Sequence, residues 1–382
     1  MRSVLVVNGP NLNLLGSRQP EIYGTTTLTD LEELVRGWGA SLGMSVTTFQ
    51  SNHEGAIVDA LHRARGEVDG VIVNAGALTH YSYALLDALY GIDLPAVEVH
   101  ISNVHEREHW RRTSVIAPAC TATIYGRGVD GYRWALRHLH HRWEWPVVTL
   151  AYGSGPDRVA DLRLPDGGRA PAGGAVVVHG GFWRHEWTRD TTDGIAVDLA
   201  RRGLVTWNAE YRRVGAGGGG SDPVDDVIAA VDALRRRIEV DPRRIVLVGH
   251  SAGAQLATVA IARLAASGSP PGLVVTLGGV LDLEAAIVDG LDRDAARDYV
   301  GTEAVEPLSP LAHVPLGCPV LIAHGHGDDR VPIAYAERFA AAARAAGDEV
   351  VEVIGDHGHM EYLDPADRVW PPIADRIIDL MR

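Results

Sequence analysis

The sequence predicts an α/β protein built of two units, and three observations carry that reading. The chain has 382 residues, more than one ordinary core takes up. Short apolar runs alternate with stretches of helical spacing along its length, the pattern of parallel sheets wrapped by helices. The alternation is interrupted at Trp143-Glu144-Trp145-Pro146, where a proline follows a helical stretch. The units are therefore expected at 1–143 and 144–382.

In the first unit, strands are expected at 4–7, 46–49, 71–74, 96–100 and 122–125. Leu28, Leu31, Leu34, Val35, Trp38 and Leu42 recur at helical spacing, so a helix from Leu28 should bury one face on the sheet. Polar groups collect directly after strands, at Asn8 to Asn11, Asn74 to His80 and His100 to Asn103, where open α/β sheets place their ligands. A last helix is expected over about 130–141. Its histidines, His138, His140 and His141, read as a helix end in solvent rather than a metal site.

In the second unit, runs at 147–151 and 159–164 predict an entry hairpin, and 175–178 a buried strand ending at His179-Gly180-Gly181. Gly215 to Gly220 reads as a flexible loop with no phosphate role, because no helix start is expected directly after it.

Composition excludes several functions. Hydrophobic content of 46% and charged content of 22% are ordinary for a globular chain, and no apolar run nears the roughly 18 residues that span a membrane. The opening Met1-Arg2-Ser3 and the short apolar run after it show no cleavage site for a leader, so a cytoplasmic protein is expected. Cys120 and Cys318 are too few and too far apart for a disulfide framework. There is no lysine, so all 35 basic residues are arginine. That sets aside Schiff-base chemistry, a pyridoxal-phosphate site and a lysine-bearing phosphate loop. Residues 1–143 carry 12 Arg against 14 Asp and Glu, net −2, and residues 144–382 carry 23 against 35, net −12, together the −14 of the chain. Neither half suits nucleic acid. Small-molecule substrates are expected, with no cofactor and no metal.

Four motifs of the first unit agree in order and spacing: Asn8-Gly9-Pro10-Asn11 running on to Tyr23-Gly24, Gln50-Ser51-Asn52-His53-Glu54-Gly55, Asn74 to His80, and Glu98 to Asn103 with Arg111-Arg112 beyond. Residues 1–143 thereby resemble the type II 3-dehydroquinate dehydratases. The resemblance implies a flavodoxin-like five-stranded parallel sheet and trans-elimination of water through an enolate, in shikimate or quinate metabolism. Tyr23 would take a proton from C2 and His100 would protonate the departing hydroxyl. A phenol ionises near pH 10, so a phenolate at neutral pH asks for roughly 4 kcal/mol from a neighbouring cation. Arg18, on the same lid loop, would supply it. Asn11 would hold the water that stabilises the enolate. Asn74, His80 and Arg111 would bind hydroxyls, the amides of Ile101 and Ser102 the carboxylate, and Glu98 would orient His100. Asp87 would reach a neighbouring subunit's site, which implies a homo-oligomer of trimers, up to dodecamers. A competing motif, His105-Glu106-Arg107-Glu108-His109, matches a zinc signature but has polar flanks and no third ligand, and is set aside.

The second unit carries Gly249-His250-Ser251-Ala252-Gly253 between an apolar run and a helical stretch, the context of a nucleophile elbow. Upstream, Gly180, Gly181 and Phe182 would join Ala252 in donating to an oxyanion. After the apolar run Val320 to Ala323, Asp328 is the expected acid, with Asp329 the lesser choice, and His359 the base, with His357 the lesser choice. The order Ser251, Asp328, His359 resembles that of α/β-hydrolases. His179-Gly180-Gly181-Phe182-Trp183 and Trp207 to Arg212 make 147–382 similar to kynurenine-formamidase-like esterases, which implies ester or amide hydrolysis. The alternative is a single-activity dehydratase whose second half is a binding or assembly module.

Overall fold

A computed structural model describes the chain apart from residues 105–106, 166–170, 238–240, 269 and 382. It divides into two compact units, Met1–Glu144 and Trp145–Arg382.

In the first, β1 (Arg2–Asn8), β2 (Met44–Gln50), β3 (Gly70–Asn74), β4 (Ala96–His100) and β5 (Ala122–Tyr125) form one sheet in the order β2-β1-β3-β4-β5, every pair parallel. The helices are α1 (Pro20–Tyr23), α2 (Leu28–Ser41), α3 (Glu54–Ala64), α4 (Tyr83–Ile92) and α5 (Asp130–Glu144). Leu31 and Val35 of α2 and Leu136 and Leu139 of α5 fill one face of the sheet; Ile57, Leu61, Leu85 and Leu89 of α3 and α4 fill the other. Covering both faces is why strands such as Val71-Ile72-Val73 are apolar without alternation. Helix α2 starts where expected because Thr27 and Asp30 cap each other's backbone N–H. The strand order reverses between β1 and β3, which opens a crevice at their carboxyl ends.

One expectation fails here. His138 is buried, with Nε2 at 3.1 Å from Thr121 Oγ1, rather than standing in solvent. It lies three residues beyond Ala135 and seven beyond Gly131, on the buried stripe of α5.

The second unit is a mixed sheet of β6 (Val148–Ala151), β7 (Val159–Arg163), β8 (Gly173–Val178), β9 (Leu204–Ala209), β10 (Ile245–His250), β11 (Leu273–Leu277), β12 (Val320–Gly325) and β13 (Val350–Gly355). Its order is β13-β12-β11-β10-β8-β9-β7-β6; β7 pairs antiparallel with β6 and β9, and the other pairs are parallel. Around it lie α6 (Asp193–Arg201), α7 (Asp222–Arg237), α8 (Ala252–Ala266), α9 (Leu283–Val288), α10 (Leu291–Val300), α11 (Ile333–Ala346) and α12 (Trp370–Leu380). This is the α/β-hydrolase arrangement, with a serine elbow between a central strand and α8.

The glycine run is also corrected. Helix α7 does begin two residues after Gly220, and its first turn holds Asp222 and Asp225, which repel an anion. Gly220 is a point of close approach: its N–H donates to Tyr299 O at 2.6 Å, and a Cβ there would lie 2.0 Å from Glu303 Oε1. The run packs against α10 and the turn after it.

Candidate active sites

The first cleft opens at the carboxyl ends of β1, β3 and β4. Asn11, Arg18 and Tyr23 reach it from the segment after β1; Asn74 and His80 from the end of β3; His100, Ile101, Ser102 and Arg111 from the end of β4 and beyond. Asp87 is exposed on α4 and does not line it.

Several polar groups there are held by neighbours. Glu98, fully buried, accepts from His100 Nε2 at 2.7 Å, which leaves Nδ1 as the ring nitrogen facing the cleft. Thr79 also donates to Glu98, and Ser114 donates at 2.8 Å. Burial pushes the Glu98 carboxyl up, but the bonds and charge of His100, with those of Thr79 and Ser114, hold it below the usual range. Asn74 Nδ2 donates to the buried Tyr132 hydroxyl at 2.9 Å, and that hydroxyl donates to Asn8 Oδ1 at 2.6 Å, bridging the ends of β1 and β3. His80 faces the Thr113 carbonyl with Nδ1 at 2.8 Å, so Nδ1 carries the proton and Nε2 is an acceptor. Burial, with the charges of His100 and Arg111, lowers the His80 imidazole below its ordinary range.

Sequence reasoning missed Arg107. Its Nη1 donates to the Tyr23 hydroxyl at 2.5 Å, and the guanidinium carbons of Arg18 and Arg107 each lie 5.6 Å from the Tyr23 ring centre. Two cations thus flank the phenol. Arg107 belongs to the stretch weighed as a zinc signature; His105 and Glu106 of that motif lie outside the described residues. Arg111 lines the cleft with Nε bonded to Glu108 at 2.8 Å.

The second cleft is narrow and is lined by Ser251, His359, Gly180, Gly181 and Phe182 among others. Ser251 sits between β10 and α8 at φ 55°, ψ −118°, a conformation an L-residue adopts only under constraint. Gly253 permits the close crossing, since a Cβ there would lie 2.3 Å from Val178 O. Ala252 is the first residue of α8, so its N–H has no partner within the helix. His359 Nδ1 donates to Asp328 Oδ2 at 2.7 Å, and Asp328 also accepts from the amides of Arg330 and Val331. Burial raises the Asp328 carboxyl, but the His359 bond and charge and these amides together bring it below its ordinary range. Asp329 is exposed, and His357 packs edge-on against Tyr362. His250 Nε2 donates to the His359 carbonyl at 3.0 Å; burial and the adjacent His359 push the His250 ring down to about 3, so it stays neutral.

The segment from His179 to Trp183 is held from below. His179 bonds buried Glu210 at 2.8 Å, and Tyr211 stacks on its ring at 4.4 Å. Burial raises the Glu210 carboxyl, but Arg213, His179 and Arg189 outweigh it and bring it to about 2. Phe182 and Trp183 both take positive φ, and Trp183 Nε1 donates to Gln255 at 2.8 Å. Glu210 and Tyr211 lie in the Trp207 to Arg212 stretch, whose spacing alone did not show that they brace this loop.

Known proteins bear on both units. The family described as Dehydroquinase class II matches residues 2–140, and the Prolyl oligopeptidase family matches residues 183–362. The chain is 55% identical over 138 residues to a protein of Emericella nidulans named catabolic 3-dehydroquinase, covering 36% of this chain and 90% of that one. It is 55% identical over 139 residues to a 3-dehydroquinate dehydratase of Bacillus pumilus, covering 36% and 95%. A crystal structure of an esterase/lipase from an uncultured bacterium superposes with a TM-score of 0.52 at 20% identity, covering 62% of this chain and 83% of that one, a likeness of fold. Through residues 2–140, the chain belongs to the type II dehydroquinases, and it carries beyond them a second unit of esterase-like α/β-hydrolase fold.

Proposed function

We propose that the chain is a bifunctional enzyme, dehydrating 3-dehydroquinate to 3-dehydroshikimate in its first unit and hydrolysing an ester or activated amide in its second. The observation that carries the first activity is the convergence of Tyr23, His100 and Asn74 on one cleft, with Arg107 on the phenolic oxygen and Glu98 on the imidazole. Tyr23, as phenolate beside Arg18 and Arg107, removes the C2 proton; Asn11 positions the water that meets the enolate oxygen; His100 gives a proton to the departing hydroxyl. Asn74, His80 and Arg111 bind the ring hydroxyls, and the amides of Ile101 and Ser102 take the carboxylate. Asp87, exposed on α4, is free to serve a neighbouring copy's cleft in a trimer-based homo-oligomer.

The second activity is supported by the strained Ser251 beside His359, itself bonded to Asp328. Ser251 attacks the carbonyl, His359 takes and returns its proton, Asp328 orients the ring, and the amides of Ala252 and of Gly180 to Phe182 receive the oxyanion. A cytoplasmic setting belongs to this reading and suits the two free thiols, Cys120 and Cys318.

Tyr23→Phe and Ser251→Ala in the intact chain test the proposal. Dehydroshikimate formation, followed by ultraviolet absorbance, is expected to fall only in the first, and p-nitrophenyl acetate hydrolysis only in the second. Ester turnover equal in parent and Ser251→Ala would leave the second unit as a binding or assembly module.

A further inference from the structure

The second unit is acidic, with 35 carboxylates to 23 arginines in residues 144–382, and its arginines are largely spent on them. Arg163, Arg189, Arg212 and Arg213 each hold a carboxylate within 3.0 Å. Arg330 differs. Among the described residues no carboxylate pairs with its guanidinium, and it lines the cleft of Ser251 and His359. It is the one permanently charged side chain lining that cleft among the described residues. Its neighbours there include Phe182, Trp187, Met360 and Leu363, which offer apolar walls.

The position of Arg330 is set by the catalytic array itself. Asp328 Oδ2 holds His359, while Oδ1 accepts from the Arg330 N–H at 2.9 Å and the Val331 N–H at 2.8 Å. The turn carrying the guanidinium is therefore tied to the same carboxylate that orients the base. The charge of Arg330 is also felt at His250, next to Ser251 in the chain. A guanidinium with no carboxylate partner among the described residues, at a reaction cleft in a domain whose net charge would otherwise repel anions, presents five donors in a fork that fits a carboxylate.

We propose that Arg330 sets the specificity of the hydrolase cleft, and that its substrate is an ester or activated amide that also carries a carboxylate. This rests on the reading of Ser251 as the nucleophile. The carboxylate sits on the Arg330 fork and the carbon skeleton on the apolar walls, which brings the scissile carbonyl to Ser251 in one orientation.

The test uses the full chain and two pairs of esters matched in shape but not in charge: p-acetoxybenzoate with p-acetoxybenzamide, and p-nitrophenyl hydrogen adipate with p-nitrophenyl hexanoate. In at least one pair, kcat/KM is expected to favour the anionic member. That preference should shrink by about tenfold or more in Arg330→Gln, the loss of one charged hydrogen-bonded pair, and be largely kept in Arg330→Lys. Preference for the neutral member in both pairs, or an Arg330→Gln effect equal on both members of each pair, overturns the proposal. Ser251→Ala separates the two failures. If it abolishes turnover while charge preference is absent, only the role of Arg330 falls; if it leaves all four esters turning over, the nucleophile reading falls first.

Discussion

Tyrosine and serine are both poor reagents at neutral pH, and in the proposed mechanisms the two clefts activate them by different means. At Tyr23 the means is positive charge: Arg107 donates directly to the hydroxyl, and Arg18 stands over the ring. Arg107→Met should therefore lower dehydratase kcat by about 10²-fold, with Arg107→Lys recovering part of it, because one oxyanion-type donor is worth that much. Equal kcat in Arg107→Met and the parent would show that Arg18 alone suffices. At Ser251 the means is a base held in one tautomer, since Asp328 fixes the proton on His359 Nδ1. Asp328→Asn reverses that preference and is expected to cost hydrolase kcat about 10⁴-fold with little change in KM. The corresponding change at exposed Asp329 should leave the rate near that of the parent, and a large loss there would move the role of acid to Asp329.

Single elements transmit these effects. The turn between β10 and α8 holds Ser251 in its unusual backbone conformation only because nothing obstructs the crossing at Gly253. Gly253→Ala would drive a methyl into the Val178 carbonyl, and a destabilisation of about 1–3 kcal/mol is expected in denaturant unfolding. The loop after β8 depends on Glu210, buried among His179, Arg213 and Arg189. Its folded carboxyl lies near 2 against an ordinary 4.5, so its contribution to stability is complete above pH 4.5 and is lost as pH falls from there towards 2. Glu210→Gln should be less stable at pH 7 and should lose less stability across that acid window. Parallel loss of stability by the two proteins would mean that the carboxylate is not the group titrating. Hydrolase kcat should fall in Glu210→Gln with the dehydratase unaltered, because the brace serves the second cleft alone.

At the scale of the whole molecule, two units with separate cores predict two unfolding transitions in calorimetry. A carboxylate analogue of dehydroquinate should raise only one of them, by stabilising the unit that binds it. A single transition moved as a whole would instead show that the cores unfold together. The first sheet was legible in sequence strand by strand, and of the second β6, β7, β8, β10 and β12 but not β9, β11 or β13, because buried parallel strands read as apolar runs, and the clefts were legible because polar residues follow those runs directly. Local chemistry also marked Ser251, since a small-residue turn between strand and helix is a property of neighbours in the chain. What the chain alone determined was therefore the strands of the first sheet, part of the second, and the polar residues at their ends. Only tertiary structure decided which distant groups answer one another: Arg107 on Tyr23 across 84 positions, Tyr132 joining Asn8 to Asn74, Glu210 beneath His179, and Arg330, with no carboxylate partner among the described residues, lining the cleft of Ser251. The physical reason is that a hydrogen bond or an unshared charge is a relation in space, and spacing along a strand or helix constrains only partners within a few residues.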